Sequence, residues 1–264
     1  MSGLDVKLKE LFKYLYEHTL ERKSLFKGTI DSSISNHFQI FRGSNEVCPF
    51  CGIEGYPDRN GGTRANYDHY LCKSKYFFAG VNFNNLMPMC YYCNTGNKGD
   101  DDILYAQGKR RLAFYPYTKI KGVEIQIVCS KKPSLGDKFG EWSVGLEPKD
   151  KGDAERISTW IDVFNITTRL EARIQESNER WMKEFIARRF AETTCDEKKL
   201  RKALTVESNR LAKHVKTKRE AVIEGAYMGF IASEADEAEL NGYCGVAASD
   251  YNTQMAQVGA NIAI

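Results

Sequence analysis

The chain has 264 residues, enough for one large domain or two small ones with a proper hydrophobic core. No stretch reaches the apolar length needed to span a bilayer, and the first segment, MSGLDVKLKELFKYLYEHT, is charged throughout. No membrane partner, no secretory leader and a cytoplasmic location are therefore expected. The net charge of +3 is unevenly spread: all 38 Lys and Arg but only 29 of the 35 acidic residues lie in residues 1–220. A basic body of this kind suits a phosphate-bearing partner.

In chain order, Leu4, Leu8, Leu11, Phe12 and Leu15 recur at helical spacing, which predicts an amphipathic helix over residues 4–27, stopped by Gly28. Asp31-Ser32-Ser33 then begins a short second segment containing Phe38 and Phe41. Residues 1–45 read as an N-terminal helical segment packed across the module that follows, with an arm on nucleic acid or a partner as the other reading. His18 and His37 read as surface or packing residues.

Residues 46–150 hold the densest chemistry. Two Cys-x-x-Cys pairs, Cys48/Cys51 in CPFCG and Cys90/Cys93 in MCYYCN, stand with 38 residues between the inner cysteines. Each pair forms a tight turn that aims two sulfurs at one point, so the two together close a tetrahedral four-cysteine zinc site. Unrelated buried thiols rarely fall in two such pairs. Cys72 reads as a buried thiol, and Cys129, Cys195 and Cys244 as isolated core or surface thiols. The eight cysteines suit a reducing compartment better than a disulfide framework.

Between the pairs, a polar Gly-rich loop from Tyr56 to Asn66 carries Arg59 and Arg64, which suit phosphate contact. A short strand is expected over residues 65–69, ending on Asp68-His69. A loop over 70–84 follows, with Lys73 and Lys75 as phosphate contacts, then a second strand over 86–89. A helix is expected to open at the second cysteine pair, with Asn94 in its first turn. This order brings Asp68, His69 and Asn94 to one face, and zinc replaces the core that so small a module lacks.

At these residues the chain resembles the HNH endonucleases, whose ββα-metal, treble-clef site has a zinc-stapled branch that includes the endonuclease VII-type resolvases. The shared order is CxxC, Asp-His, then CxxC-Asn, and the match covers about a fifth of the chain. The resemblance implies that His69 is the general base and that Asn85, in the Asn-Leu pair, orients it. It implies that Asp68 and Asn94 hold a catalytic divalent cation, Mg²⁺ or Mn²⁺. Lys98 stands near the usual family lysine, at an approximate spacing. It also implies a nucleic-acid substrate, DNA before RNA. Stand-alone proteins with this pattern look like bacterial antiviral effectors, some paired with an ATPase as in Septu-type systems, so an ATPase partner is a further expectation.

The residue types make chemical sense by themselves. A neutral imidazole can take a proton from water at physiological pH. A hard cation on the Asp68 carboxylate and the Asn94 carbonyl oxygen can neutralise a phosphate and its departing oxygen. Zinc held by four thiolates has no open position and cannot serve there. Two other classes stay open: a non-catalytic zinc module that binds nucleic acid or a protein, and an RNA endonuclease.

Farther on, Lys109, Arg110 and Arg111 precede the aromatic run Phe114-Tyr115-Pro116-Tyr117. This segment either tracks a nucleic-acid strand or pins itself against the module. Alternation in 123–129 and 141–147, around a turn-rich SKKPSLGDKFG, predicts an antiparallel hairpin with one buried face. Two helical stripes follow, Ile157 to Phe164 and Leu170 to Phe190, with a break at 165–168. Thr194-Cys195-Asp196-Glu197 reads as a capping box opening a third helix, whose narrow stripe runs Leu200, Leu204, Leu211, Val215 and Val222. Residues 151–264 thus read as a helical C-terminal region with an acidic tail. The chain as a whole reads as α+β: a zinc-stapled ββα-metal HNH module, an accessory β-hairpin and a mostly helical C-terminal region.

Overall fold

The computed structural model describes residues 3–19, 40–41, 43, 45–56, 67–118, 122–131, 141–191 and 193–245. The loop with Arg59 and Arg64, the segment with His37 and Phe38, the turn at 132–140 and the chain beyond residue 245 lie outside the described residues. Among the described residues, helices combine with three two-stranded sheets, an α+β composition. No helix among the described residues is long and apolar enough to cross a membrane. The chain divides into two units interleaved in sequence. The first is Met1–Glu124, Leu146–Ile166 and Lys216–Arg219; the second is Ile125–Gly145, Thr167–Val215 and Glu220–Ile264.

In the first unit, helix α1 (Gly3–Tyr14) runs into a wide turn, Leu15–Thr19. Of the predicted stripe, Leu8, Phe12 and Leu15 are half-buried. Leu4 and Leu11 are exposed, while Phe12 meets Phe77 edge-on at 5.8 Å and Tyr16 joins the cluster of Tyr56 and Leu86. Strands β1 (Tyr67–His69) and β2 (Leu86–Pro88) pair antiparallel, with Asp68 opposite Met87 and His69 opposite Leu86. The stretch between them, expected as a loop, contains two short helical turns, Phe77–Val81 and Phe83–Asn85. The second is started by the Asn82 side chain, which accepts the Asn84 N–H at 3.0 Å.

Strands β3 (Tyr105–Ala106) and β4 (Lys109–Arg110) form a small hairpin that the sequence reading missed. Its two turn residues, Gln107 and Gly108, both have positive φ (50° and 76°), the conformation that a two-residue hairpin turn requires. The aromatic run that follows pins the chain. Tyr115 donates to the Asn84 carbonyl (2.8 Å), Tyr117 to the Leu86 carbonyl (2.5 Å), and the Phe114 carbonyl accepts from Tyr70. Arg111 is likewise structural, donating to the Ile103 and Asp102 carbonyls and pairing with Asp162.

Helix α2 (Ala154–Phe164) supports the first cysteine pair. Trp160 Nε1 donates to the Phe50 carbonyl at 2.8 Å, and the Phe164 ring lies 4.9 Å from that of Phe50. It ends at Asn165, whose left-handed φ of 47° makes the break expected there. Helix α3 (Ile166–Arg189) follows at once.

Strands β5 (Val123–Lys131) and β6 (Glu141–Pro148) pair as the predicted hairpin. In the second unit, buried Val144 and the Trp142 ring mark the hairpin's inner face, with Trp142 edge-on to Tyr227 at 5.5 Å. The predicted third helix is two helices, α4 (Glu197–Ala212) and α5 (Ala221–Glu234). Leu200, Leu204 and Leu211 are buried as the stripe implies. Their partner is α5, which approaches so closely that a Cβ on Gly225 would lie 3.1 Å from Leu211 Cβ. The helix cap is Asp196 and not Thr194: the Asp196 carboxylate accepts the Lys199 N–H at 2.9 Å.

The cysteine expectation is also corrected, because Cys195 and Cys244 form a disulfide. Its partners lie 49 residues apart, and the return of the chain through α5 and the helical residues 237–245 brings them together.

Glu207 accepts from both Arg188 (2.7 Å) and Arg210 (2.7 Å, at each carboxylate oxygen). Arg210 is the main cause that holds its carboxyl below the ordinary glutamate range. A carboxyl lowered on folding stabilises the protein above its unfolded value, about 4.3, and that stability is lost as pH falls below it through the folded value. Glu207→Gln should destabilise the protein by about 1–3 kcal/mol at neutral pH. The difference from the parent should shrink as acid titrates the parent, measured by chemical denaturation at pH 7 and pH 3.

Candidate metal centre and the adjoining histidine site

The sulfurs of Cys48, Cys51, Cys90 and Cys93 all lie within 4.8 Å of one another, and all four residues are buried. Tetrahedral zinc with Zn–S of about 2.3 Å needs sulfurs roughly 3.8 Å apart. Cys51 Sγ and Cys90 Sγ are 3.9 Å apart, so the donor set fits the ion.

Backbone geometry builds this convergence. Val47 bridges Gly55, and the Cys48 N–H donates to the Glu54 carbonyl at 2.8 Å. The turn closes through Gly52, whose φ of 65° favours a residue without Cβ. The Lys216 carbonyl accepts the N–H groups of Glu46 (2.8 Å) and Val47 (3.2 Å), which fixes the entry to the turn. On the other side, β2 delivers Cys90, whose N–H points to Cys48 Sγ at 3.5 Å. Burial pushes the Cys48 thiol well up, so four ionised sulfurs are tenable here only around a cation.

The second cysteine pair opens not a regular helix but a wide turn, Tyr92–Lys98. It closes five residues apart, from the Gly99 N–H to the Asn94 carbonyl at 2.7 Å. Asn94 is half-buried on that turn. Lys98, at its end, is 1% exposed, and its Nζ lies 2.9 Å from Asp68 Oδ2. The two form a buried ion pair, and Lys98 Nζ also donates to the Gly99 carbonyl at 3.2 Å. Burial lifts the Asp68 carboxyl to about 6, against the opposing pull of Lys98.

His69 follows Asp68 on β1 and is as buried, at 7% exposure. Its Nε2 lies 3.0 Å from the Gly80 carbonyl, which can only accept, so Nε2 carries the proton and Nδ1 keeps the lone pair. Burial lowers its pKa to about 4, the bond to Gly80 opposing, so the ring is neutral at physiological pH. The Tyr16 ring meets it edge-on at 4.4 Å between centroids, and Lys73 Nζ sits 5.3 Å from the Tyr16 ring. Tyr16 was absent from the sequence reading because the hydrophobic stripe of α1 put its weight on leucines.

Asn85 is buried and Asn84 exposed. The Asn85 amide bonds the loop rather than the imidazole. Nδ2 donates to the Leu71 and Ala79 carbonyls (3.1 Å each), and Oδ1 accepts the Leu71 N–H at 2.7 Å. It fixes the turn whose next carbonyl, that of Gly80, holds His69. Asn85→Ala would remove three hydrogen bonds and leave the Leu71 N–H and carbonyl without this partner, the Ala79 carbonyl keeping the Asn82 N–H; a loss of about 3 kcal/mol is expected from denaturant unfolding.

Of the remaining candidates, Cys72 is a buried free thiol. Lys75 is exposed, 3.7 Å from Asp102, a buried acid that also accepts from Tyr76 Oη. Comparison of the chain with protein-family models, with curated proteins and with solved structures found no match.

Proposed function

We propose that this chain is a metal-dependent HNH-type endonuclease that hydrolyses phosphodiester bonds of nucleic acid, DNA before RNA. The observation that carries the reading is the pairing on β1 of a neutral imidazole with a buried carboxylate. The His69 proton is committed to the Gly80 carbonyl, and Asp68 Oδ2 faces a cation, the Lys98 ammonium at 2.9 Å. In sequence His69 and Asp68 lie between the two cysteine pairs, whose four sulfurs converge in a cluster suited to structural zinc.

His69 Nδ1, left basic by the bond at Nε2, takes a proton from the attacking water. Asn85 holds the loop that orients the ring. Asp68 Oδ2 and the Asn94 side-chain oxygen are hard donors of the kind that Mg²⁺ and Mn²⁺ accept, and Oδ2, which already faces the Lys98 ammonium at 2.9 Å, fits a cation. Bound there, a divalent cation supplies charge neutralisation to the phosphate and its leaving oxygen.

Plasmid, single-stranded DNA and RNA incubated with the protein should be cut in Mg²⁺ or Mn²⁺, not in chelator, and not by His69→Ala. A second reading, a zinc module that binds without cleaving, is favoured by the cover over the site, where Asp68 and His69 are each only 7% exposed. Binding without metal-dependent cleavage of any of the three substrates would select it.

A further inference from the structure

We propose that Lys98 is the resident counter-ion of Asp68, and that a divalent metal reaches this carboxylate by displacing the ammonium, which a nucleic-acid phosphate then receives. The inference rests on the nuclease reading and deepens it, since it makes metal binding at Asp68 depend on the substrate.

A lysine that is 1% exposed is held inside by something. Burying an ammonium is costly unless it is paired. Its polar contacts among the described residues are Asp68 Oδ2 at 2.9 Å and the Gly99 carbonyl at 3.2 Å. The wide turn brings it there: with Gly99 closing on Asn94, the Lys98 stem passes inward from the same turn that carries Asn94. The seat expected for a divalent ion, between Asp68 and Asn94, therefore borders a fixed positive charge.

Two cations cannot share that seat cheaply, because like charges at contact distance repel strongly where water is scarce. The contact with Asp68 is also exchangeable in kind, being an ion pair in which another cation can replace the ammonium. The other acid near the pair, Asp100, is exposed and raises the Asp68 carboxyl rather than relieving Lys98. Asp102 is engaged by Tyr76 and Lys75 and by the Leu104 N–H. Among the described residues, Lys98 is ion-paired with no acid besides Asp68. A phosphate oxygen supplies a second partner, since a lysine ammonium binds phosphate as a compact point charge.

The test is Mn²⁺ binding, read as loss of the free-ion electron paramagnetic resonance signal, on zinc-loaded protein with zinc content and circular dichroism checked for each variant. Lys98→Met should bind Mn²⁺ roughly tenfold or more tightly than the parent, and Asp68→Asn should abolish the site in both backgrounds. In a His69→Ala background, a single-stranded oligonucleotide should tighten Mn²⁺ binding when Lys98 is present and do little in Lys98→Met. Asp68-dependent binding that Lys98→Met leaves unchanged overturns the inference and spares the nuclease reading. Binding that ignores Asp68→Asn, or no binding at all, removes the metal assignment and the inference together. If Lys98→Met misfolds, Lys98→Gln replaces it. Loss of zinc or fold in both would make the pair a folding element only and overturn the proposal.

Discussion

Cys90→Ser should lose zinc and unfold the module around residues 46–98, and a strong chelator acting on the parent protein should do the same. The sheet there is too small to hold itself: β1 and β2 have three residues each. Instead, four buried cysteines join the first turn to the end of β2. Zinc in such sites contributes about 10–16 kcal/mol of apparent binding free energy, which is also folding free energy. Loss of one thiolate removes a large part of it. The readouts are metal content by elemental analysis and near-ultraviolet circular dichroism. Helical signal from the α4–α5 pair, packed on its own buried leucines and tied by Cys195–Cys244, should persist. A Cys90→Ser protein that stays folded with a full complement of zinc would refute the four-cysteine centre.

His69→Ala should reduce cleavage by about 10²–10⁴-fold, the usual scale for a lost general base, with zinc content unchanged. The ring also packs against Tyr16 and bonds the Gly80 carbonyl, so truncation will cost some stability as well. Added imidazole separates the two effects. Partial rescue of the rate by free imidazole marks a missing base, whereas a packing defect would not respond. Because the folded ring has its pKa lowered to about 4, the parent's rate should not fall for want of a neutral base between pH 8 and pH 6. Undiminished cleavage by the alanine variant would end the assignment.

How much of this the sequence revealed depends on the range of the signal. The cysteine pairs are local patterns, and three-residue spacing within each was enough to predict that the four would meet. The break at Asn165 and the hairpin of β5 and β6 were legible for the same reason, from periodicity that changes within a few residues. Lys98 was not, because a lysine normally reads as solvated, and nothing beside it in sequence announces that Asp68, thirty residues earlier, will meet it. The division between α4 and α5 was hidden too. The connecting stretch KHVKTKRE has neither Gly nor Pro, and the reversal is made at Glu220, a residue with a φ of 62°. The Cys195–Cys244 bond was missed because spacing of that length carries no pairing information. The Gln107-Gly108 turn lacked the Asn or Asp usual at its first position.

The interleaving of the two units has a practical side for anyone wishing to dissect this molecule. The first cysteine turn depends on a carbonyl from Lys216 and an indole from Trp160, both well downstream of it. An excised fragment ending near residue 150 would carry every ligand sulfur and the imidazole yet lack those two supports. Inactivity in such a truncation would then say nothing about chemistry, and single-residue exchanges in the whole polypeptide are the sounder route.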